Sequence, residues 1–79
     1  MKGAANHRRL QILELLLEEP GLSVLDIAGE LDADFRTISQ HTRRLARAGL
    51  VTKEYEGRIV HHLVTPRGKN ILTFCRMLE

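Results

Sequence analysis

The chain has 79 residues, a formal net charge of +2 and a single cysteine, Cys75. This length suits one small domain over residues 1–79, and no tract is apolar enough to span a bilayer. The first residues lack the apolar segment of a secretion signal, so a cytoplasmic protein is expected. One cysteine excludes an internal disulfide and any metal site built on paired cysteines.

Charge is segregated along the chain. Residues 1–34 carry three basic and seven acidic side chains, a net −4, and residues 35–79 carry nine basic and three acidic ones, a net +6. The two parts together give the +2 of the whole chain. A fold with one positive side is therefore expected, although so small a net charge is weak evidence for a nucleic-acid partner.

The first helix is predicted over residues 7–19, after a frayed segment at residues 1–6. Its apolar side chains occupy two sides of the helix. One side holds Leu10, Leu13, Leu16 and Leu17. Ile12 and Leu15 lie on the far side, and a helix that is apolar on two sides packs against something on both. The second partner is either the core of the same chain or another subunit, and the sequence favours neither.

The second helix is predicted over residues 23–31, followed by a turn at residues 31–33. Ser23 and Asp26 have the spacing of a capping box, in which each side chain accepts a hydrogen bond from the other residue's backbone N–H. The side chains expected to be buried are Leu25, Ala28 and Leu31, with Ile27 nearby.

The third helix is predicted over residues 34–48, with Asp34 as its N-cap. A rotation of about 100° per residue divides it into two faces. The apolar face contains Phe35, Ile38, Thr42, Leu45, Ala46 and the terminal Gly49. The opposite face contains Arg36, Gln40, Arg43, Arg44 and Arg47.

The basic face of this helix has two interpretations. Most charged helix faces are only solvated. This face has a single sign, however, with no Asp or Glu between Phe35 and Lys53, whereas solvated helices usually mix signs because opposite charges four residues apart stabilise them. Arginine suits phosphate oxygens and guanine edges, and glutamine pairs with adenine in the major groove. We therefore expect this helix to enter a groove of DNA.

The rest of the chain changes period and then returns to a helix. Residues 51–65 alternate around a Gly57-Arg58 turn, which predicts a β-hairpin. Thr65 and Pro66 open a last helix over residues 66–78. Its apolar stripe holds Ile71, Phe74, Cys75 and Leu78, with Leu72 at the margin. The predicted class is α+β and mostly helical, with three helices, a two-stranded hairpin and a C-terminal helix.

No group of residues indicates an enzyme. The chain has no glycine-rich phosphate loop and no nucleophile elbow, and helix capping explains Asp26 and Asp34 more simply than catalysis does. His61 and His62 are consecutive on a strand and point to opposite faces, so they cannot share one ion. A packed core histidine is the favoured interpretation of His62. Neither a cofactor nor a metal is expected.

The order of elements and several short strings resemble a winged helix-turn-helix domain. The strings are Leu22-Ser-Val-Leu-Asp-Ile-Ala28, Thr37-Ile-Ser-Gln-His41, Leu45-Ala-Arg-Ala-Gly-Leu-Val51, Gly57-Arg58 and Thr65-Pro-Arg-Gly68. No single string is specific, but their order and spacing across residues 7–68 resemble those of the ArsR and MarR groups of prokaryotic transcriptional regulators.

This resemblance implies a homodimer on double-stranded DNA, with the third helix in the major groove and the hairpin, or wing, on the backbone or minor groove. The residues implied to contact bases are Arg36, Thr37, Ser39, Gln40, His41 and Arg43. Those implied to contact the DNA backbone are Arg44, Arg47, Lys53 and Arg58, with Arg43 adding to affinity. The dimer interface is expected to hold Leu10, Ile12, Leu15, Ile71, Phe74 and Leu78.

The chain also departs from both groups. ArsR metal sensors carry paired cysteines that this chain lacks, and MarR proteins have extra helices that build a dimer and an effector pocket. Neither a metal nor a small-molecule effector is therefore expected. The predicted function is sequence-specific DNA binding as a small transcriptional regulator. The alternative is a protein-interaction module of the transcription machinery without sequence-specific DNA binding.

Overall fold

The computed structural model describes the backbone of residues 2–78 and the side chains of residues 7–78. Its elements are α1 (Lys2–Glu18), α2 (Val24–Leu31), α3 (Phe35–Arg47), β1 (Val51–Glu56), β2 (Ile59–Val64) and α4 (Pro66–Met77). The two strands pair antiparallel, from Val51 opposite Val64 to Glu56 opposite Ile59. The predicted fold class is confirmed: three helices, a two-stranded wing and a last helix.

The first helix begins earlier than the sequence predicts, at Lys2. Ala4 and Ala5 are the strongest helix formers, and a helix whose later turns are fixed by packing extends readily through such residues. The expected fraying of residues 2–6 is therefore wrong. The same expectation for Met1 lies outside the described residues.

Side-chain caps set where the next two helices begin. The backbone N–H of Asp26 donates to Ser23 Oγ and that of Ser23 donates to Asp26 Oδ2, both at 3.2 Å, which is the predicted capping box. In α3 the backbone N–H of Thr37 donates to Asp34 Oδ2 at 3.1 Å. Between the helices the chain turns at Asp32, whose φ of 50° is left-handed, a conformation that Asp adopts more readily than most residues. The two caps and the Asp32 turn therefore fix where α2 and α3 begin and where the chain turns between them.

The core lies where α1, α2 and α3 meet the base of the wing and α4. Its buried apolar side chains are Ile12, Leu13, Leu16, Ile27, Ala28, Ile38, Leu45, Val51 and Leu72. Full burial of an aliphatic side chain contributes about 1.5–3 kcal/mol. This cluster therefore fixes the orientation of α3 relative to the rest of the chain.

In α2 the buried stripe differs from the predicted one. Leu25 is 70% exposed, whereas Ile27 is fully buried. The stripe that faces the core follows the helical spacing of Val24, Ile27, Ala28 and Leu31, and Leu25 stands beside it rather than on it.

The last helix also turns a different face inward. Leu72 is buried, although the sequence placed it at the margin, while Phe74 is 58% exposed. The physical reason is the close approach of α4 to the end of α3. Gly68 lies against the carbonyl of Leu50 and the side chain of Val64, at a place where a Cβ would clash with both. That contact sets the rotation of α4 and leaves its predicted apolar stripe facing outward.

Candidate nucleic-acid interface

One narrow stripe anchors α3 to the protein. Ile38, Thr42 and Leu45 are buried, whereas Phe35, in the first turn, is 51% exposed. The hydroxyl of Thr42 donates to the carbonyl of Ser39 at 3.0 Å, which satisfies a polar atom that would otherwise be costly in the core. Most of the circumference of α3 therefore remains available for contact.

The opposite side of α3 is basic and open. The exposed residues are Arg36, Thr37, Gln40, Arg43, Arg44 and Arg47, and the partly buried ones are Ser39 and His41. An open groove of about 260 Å³ is lined by Gln40, Arg43, Arg44 and Arg47. Four donor-bearing side chains thus converge on one patch, which suits a polyanionic partner.

Two arginines of α1, Arg8 and Arg9, lie close enough to α3 for their charges to act on His41. Burial lowers the pKa of His41, and the positive charges of Arg9, Arg44 and Arg8 lower it further. Arg8 also donates to Gln11 Oε1 at 3.2 Å. The local sequence gave no signal for this proximity, because it arises only when α1 crosses α3 in the folded chain.

The wing brings a second basic position to the surface. Its turn is made by Gly57, whose φ of 62° is left-handed, so that the chain reverses between Glu56 and Ile59. Arg58 at the tip is exposed and Lys53 on β1 is partly buried. The tip therefore carries one open guanidinium group.

The two histidines of β2 contact the connection between α1 and α2. The buried ring of His62 donates from Nδ1 to the carbonyl of Leu22 at 2.9 Å, and Leu22 forms a short antiparallel bridge with the backbone of His62. The interpretation of His62 as a packed core histidine is confirmed. Burial lowers its pKa, so the ring is neutral near neutral pH.

His61 has a different environment. Its Nδ1 lies 2.8 Å from the carbonyl oxygen of Gly21, and its Nε2 lies 2.9 Å from Glu56 Oε1. The hydrogen bond to the Gly21 carbonyl raises the pKa of His61, and Glu56 raises it further. Among the side chains of residues 7–78, no three His, Cys, Asp or Glu groups are placed so as to hold a metal ion.

The residues expected at a dimer interface differ in how exposed they are. Ile12 is fully buried in the chain's own core, because it sits on the α1 face that contacts the other helices, so assigning it to an interface is wrong. Leu10 and Leu15 are partly buried. On α4, Ile71, Phe74 and Leu78 are 39%, 58% and 72% exposed.

None of the described helices is long and apolar enough to cross a membrane.

Comparison with known proteins agrees with this geometry. A helix-turn-helix followed by a two-stranded wing defines a winged-helix protein, and residues 6–52 match the family model described as winged helix-turn-helix DNA-binding. The chain belongs to this family.

The chain is similar to several transcriptional regulators. The cadmium resistance transcriptional regulatory protein CadC of Listeria innocua is 33% identical over 60 residues, which cover 76% of this chain and 50% of CadC. The transcriptional activator HlyU of Vibrio cholerae is 38% identical over 65 residues, which cover 82% of this chain and 59% of HlyU. The crystal structure of a MarR family transcription regulator matches with a TM-score of 0.83 and 29% identity, over 89% of this chain and 48% of that one.

These matches confirm the resemblance to ArsR- and MarR-type regulators, and they connect the chain with DNA-binding proteins rather than enzymes. They give no support to the alternative of a protein-interaction module. The chain spans 50% and 59% of the lengths of CadC and HlyU.

Proposed function

We propose that this chain binds double-stranded DNA sequence-specifically as a cytoplasmic transcriptional regulator, with α3 in the major groove and the wing on the backbone or minor groove. The observation that carries the proposal is the one-signed, exposed face of α3 opposite its buried stripe. The major groove is about 12 Å wide and admits an α-helix. The buried stripe packs α3 against the core, so the exposed face of α3 has a fixed orientation.

Base recognition is assigned to the first three turns of α3. The proposed base-contacting residues are Arg36, Thr37, Ser39, Gln40, His41 and Arg43. Recognition helices of helix-turn-helix proteins contact base edges mainly through their N-terminal residues. Gln40 suits adenine and the arginines suit guanine, because these side chains match the donor and acceptor pairs of those bases.

Phosphate contacts are assigned to the later part of α3 and to the wing. Arg44 and Arg47 lie one turn or more beyond Gln40, where a helix in the groove passes the sugar–phosphate backbone. Arg58 at the tip and Lys53 on β1 provide the wing contacts. Such contacts position the protein and supply affinity but carry no direct sequence information.

The active species is proposed to be a homodimer. Ile71, Phe74 and Leu78 form an exposed apolar surface on α4, and the partly buried Leu10 and Leu15 of α1 are proposed to complete it. Helix-turn-helix dimers bind two half-sites about one helical turn apart. A symmetric dimer would therefore place two copies of α3 in successive major grooves. No metal or small-molecule effector is proposed.

The test is selection of bound fragments from genomic DNA by the purified protein, followed by affinity measurements on the selected sequence. Gln40→Ala is expected to relax preference at one base pair by about 1–3 kcal/mol. Arg44→Ala is expected to weaken all sequences alike and to reduce the salt slope by about one.

Lys69→Ala is a matched control, because it removes an exposed basic side chain on α4 and should leave both quantities unchanged. Binding no tighter than about 10⁻⁴–10⁻⁶ M, without a preferred sequence, is the nonspecific range and would overturn the proposal. Identical behaviour of the Gln40 and Arg44 variants would contradict the division between base and phosphate contacts.

A further inference from the structure

The ring of His61 lies between two hydrogen-bond acceptors. Nδ1 faces the carbonyl oxygen of Gly21 at 2.8 Å, and Nε2 faces Glu56 Oε1 at 2.9 Å. A carbonyl has no proton to donate, and neither has an ionised carboxylate. Only the doubly protonated ring satisfies both contacts, because a neutral imidazole leaves one nitrogen lone pair facing an oxygen.

Every group that faces this ring favours its charged form. The Gly21 carbonyl, from the connection between α1 and α2, is the largest influence raising the pKa of His61, followed by the hydrogen bond to Glu56 on β1. The charges of Glu56 and Glu54, also on β1, act in the same direction, and only partial desolvation opposes them. Burial lowers the pKa of the neighbouring His62, and the charge of His61 lowers it too, so His62 is the ring of this pair that loses its proton first.

The position of this contact gives it a mechanical role. Glu56 is the last residue of β1, directly before the Gly57-Arg58 turn, and Gly21 belongs to the body of the domain. The ring therefore links the tip of the wing to the body through one charged group. The lower attachment, between His62 and residues 21–22, combines one Nδ1–H donor with backbone hydrogen bonds from Gly21 N–H to the His62 carbonyl and from His62 N–H to the Leu22 carbonyl. It therefore holds equally well with a neutral ring.

Protonation also changes the charge that the tip presents to DNA. Glu56 is 80% exposed as a side chain and its carboxylate contacts the His61 ring. A charged ring neutralises this carboxylate beside Arg58, whereas a neutral ring leaves an uncompensated negative charge near the proposed phosphate contact.

We propose that His61 is a positioning residue for the wing: in its imidazolium form it holds Glu56 against the domain and neutralises it, so that Arg58 contacts DNA, and loss of its proton weakens DNA binding. This inference rests on the proposed function, because it requires the wing to contact DNA. Binding should therefore weaken as the pH rises through the pKa of His61, which lies above 6.5.

The first measurement needs no DNA. An NMR titration of the four histidine rings in the free protein should show His61 titrating above 6.5. Glu56→Gln should lower that pKa. Glu54→Gln is the matched control, because Glu54 faces His61 across the strand pair without a hydrogen bond to it, so its effect should be smaller. An unshifted His61, or equal effects of the two substitutions, overturns the inference whatever the protein does with DNA.

The second measurement is DNA affinity between about pH 7 and pH 9, a range that lies above the lowered pKa values of His41 and His62. The natural protein should lose about threefold or more in affinity, the change that accompanies a rise of about half a unit in the His61 pKa on binding. His61→Gln should bind with a flat profile in this range. Arg58→Ala should make the step smaller, because the contact that His61 positions is gone and only the uncompensated charge of Glu56 still responds to the pH.

Three outcomes separate the possibilities. A pH step of undiminished size in Arg58→Ala means that the charges of His61 and Glu56 act on DNA without the Arg58 contact, which overturns a positioning role. A step that survives in His61→Gln overturns the role altogether. A raised His61 pKa with no specific DNA binding at any pH counts against the proposed function, and hence the inference, but leaves the ring geometry intact. His7→Gln is the control for the loss of a histidine and should retain the step. His7 lies on α1 about 16 Å along the helix axis from Glu18, the end of the helix that leads to Gly21.

Discussion

The hydroxyl of Thr65 donates to the carbonyl oxygen of Gly49 at 2.7 Å. The hydroxyl oxygen of Thr65 itself accepts from the backbone N–H of Gly68 at 3.1 Å, so one side chain caps α4 and also ties it to the turn that follows α3. The backbone N–H of Thr65 completes the junction by donating to the carbonyl of Leu50 at 3.0 Å. The base of the wing is therefore closed by contacts between the two chain segments that enter and leave it.

Replacing Thr65 with Ala should destabilise the domain more than an ordinary cap substitution. The change removes the cap of α4 and leaves the Gly49 carbonyl without its donor, so a loss of about 1–2 kcal/mol is expected. Denaturant unfolding of the purified protein measures it. Thr73→Ala is the control, because the Thr73 hydroxyl is exposed and bonds only within its own helix; it should stay within about 0.5 kcal/mol of the natural protein. Equal losses would show that the junction contributes nothing.

Two helical glycines should respond in opposite ways to alanine. A Cβ on Gly68 would clash with the Leu50 carbonyl and the Val64 side chain, so Gly68→Ala must move α4 and is expected to cost about 1–3 kcal/mol, as overpacking does. A Cβ on Gly29 would meet nothing within 4 Å, and Gly29→Ala should stabilise α2 by about 0.5–1 kcal/mol. Thermal unfolding of the two variants, side by side, checks the sign of each effect. A stabilising Gly68→Ala would contradict the close packing of α4.

The sequence predicts those features that depend on neighbouring residues. The capping box of Ser23 and Asp26, the N-cap Asp34 and the Gly57-Arg58 turn are local, and each is present in the structure. The amphipathic division of α3 also follows from spacing alone. Together these features were enough to indicate a winged helix.

Features that depend on how helices cross were beyond the sequence. Ile12 and Leu15 looked equivalent on the far side of α1, yet Ile12 is fully buried and Leu15 only partly so. Periodicity identifies an apolar face but not the azimuth at which another element meets it. For the same reason the sequence could not show that Arg9 of α1 approaches His41 of α3, or that the His61 ring reaches the Gly21 carbonyl forty residues earlier in the chain.

Stability is expected to fall on the acid side because His62 is held neutral. Burial lowers its pKa from the ordinary value of 6.5. Below that pH the unfolded chain takes up a proton that the folded chain resists, so this stabilisation is complete above 6.5 and is lost as the pH falls further. The partly buried His41 has a lowered pKa as well and acts in the same direction.

Denaturant midpoints between about pH 6.5 and pH 5 measure this acid limb, because the raised pKa of His61 changes stability only above 6.5 and in the opposite sense. His62→Gln should flatten it, although the variant starts from a lower stability. His41→Gln should reduce the slope of the acid limb less than His62→Gln does, because the His41 side chain is only partly buried. An acid limb of unchanged slope in His62→Gln would mean that the proton is taken up elsewhere.

The exposed apolar surface of α4 should decide the oligomeric state. Phe74 is 58% exposed, so replacing it with Ser removes little from the core of one chain but deletes an aromatic side chain from the proposed interface. Aromatic residues are among those that cost most when truncated at interfaces, about 2 kcal/mol or more, so the dimer dissociation constant should rise at least about tenfold. Sedimentation equilibrium measures this dissociation constant.

Leu25→Ser is the matched control. Leu25 is 70% exposed but lies on α2 rather than on α4, so its replacement should leave association unchanged. If both variants associate as the natural protein does, or if the natural protein is a monomer, the α4 surface is not a dimer interface and the two-half-site arrangement on DNA is contradicted as well.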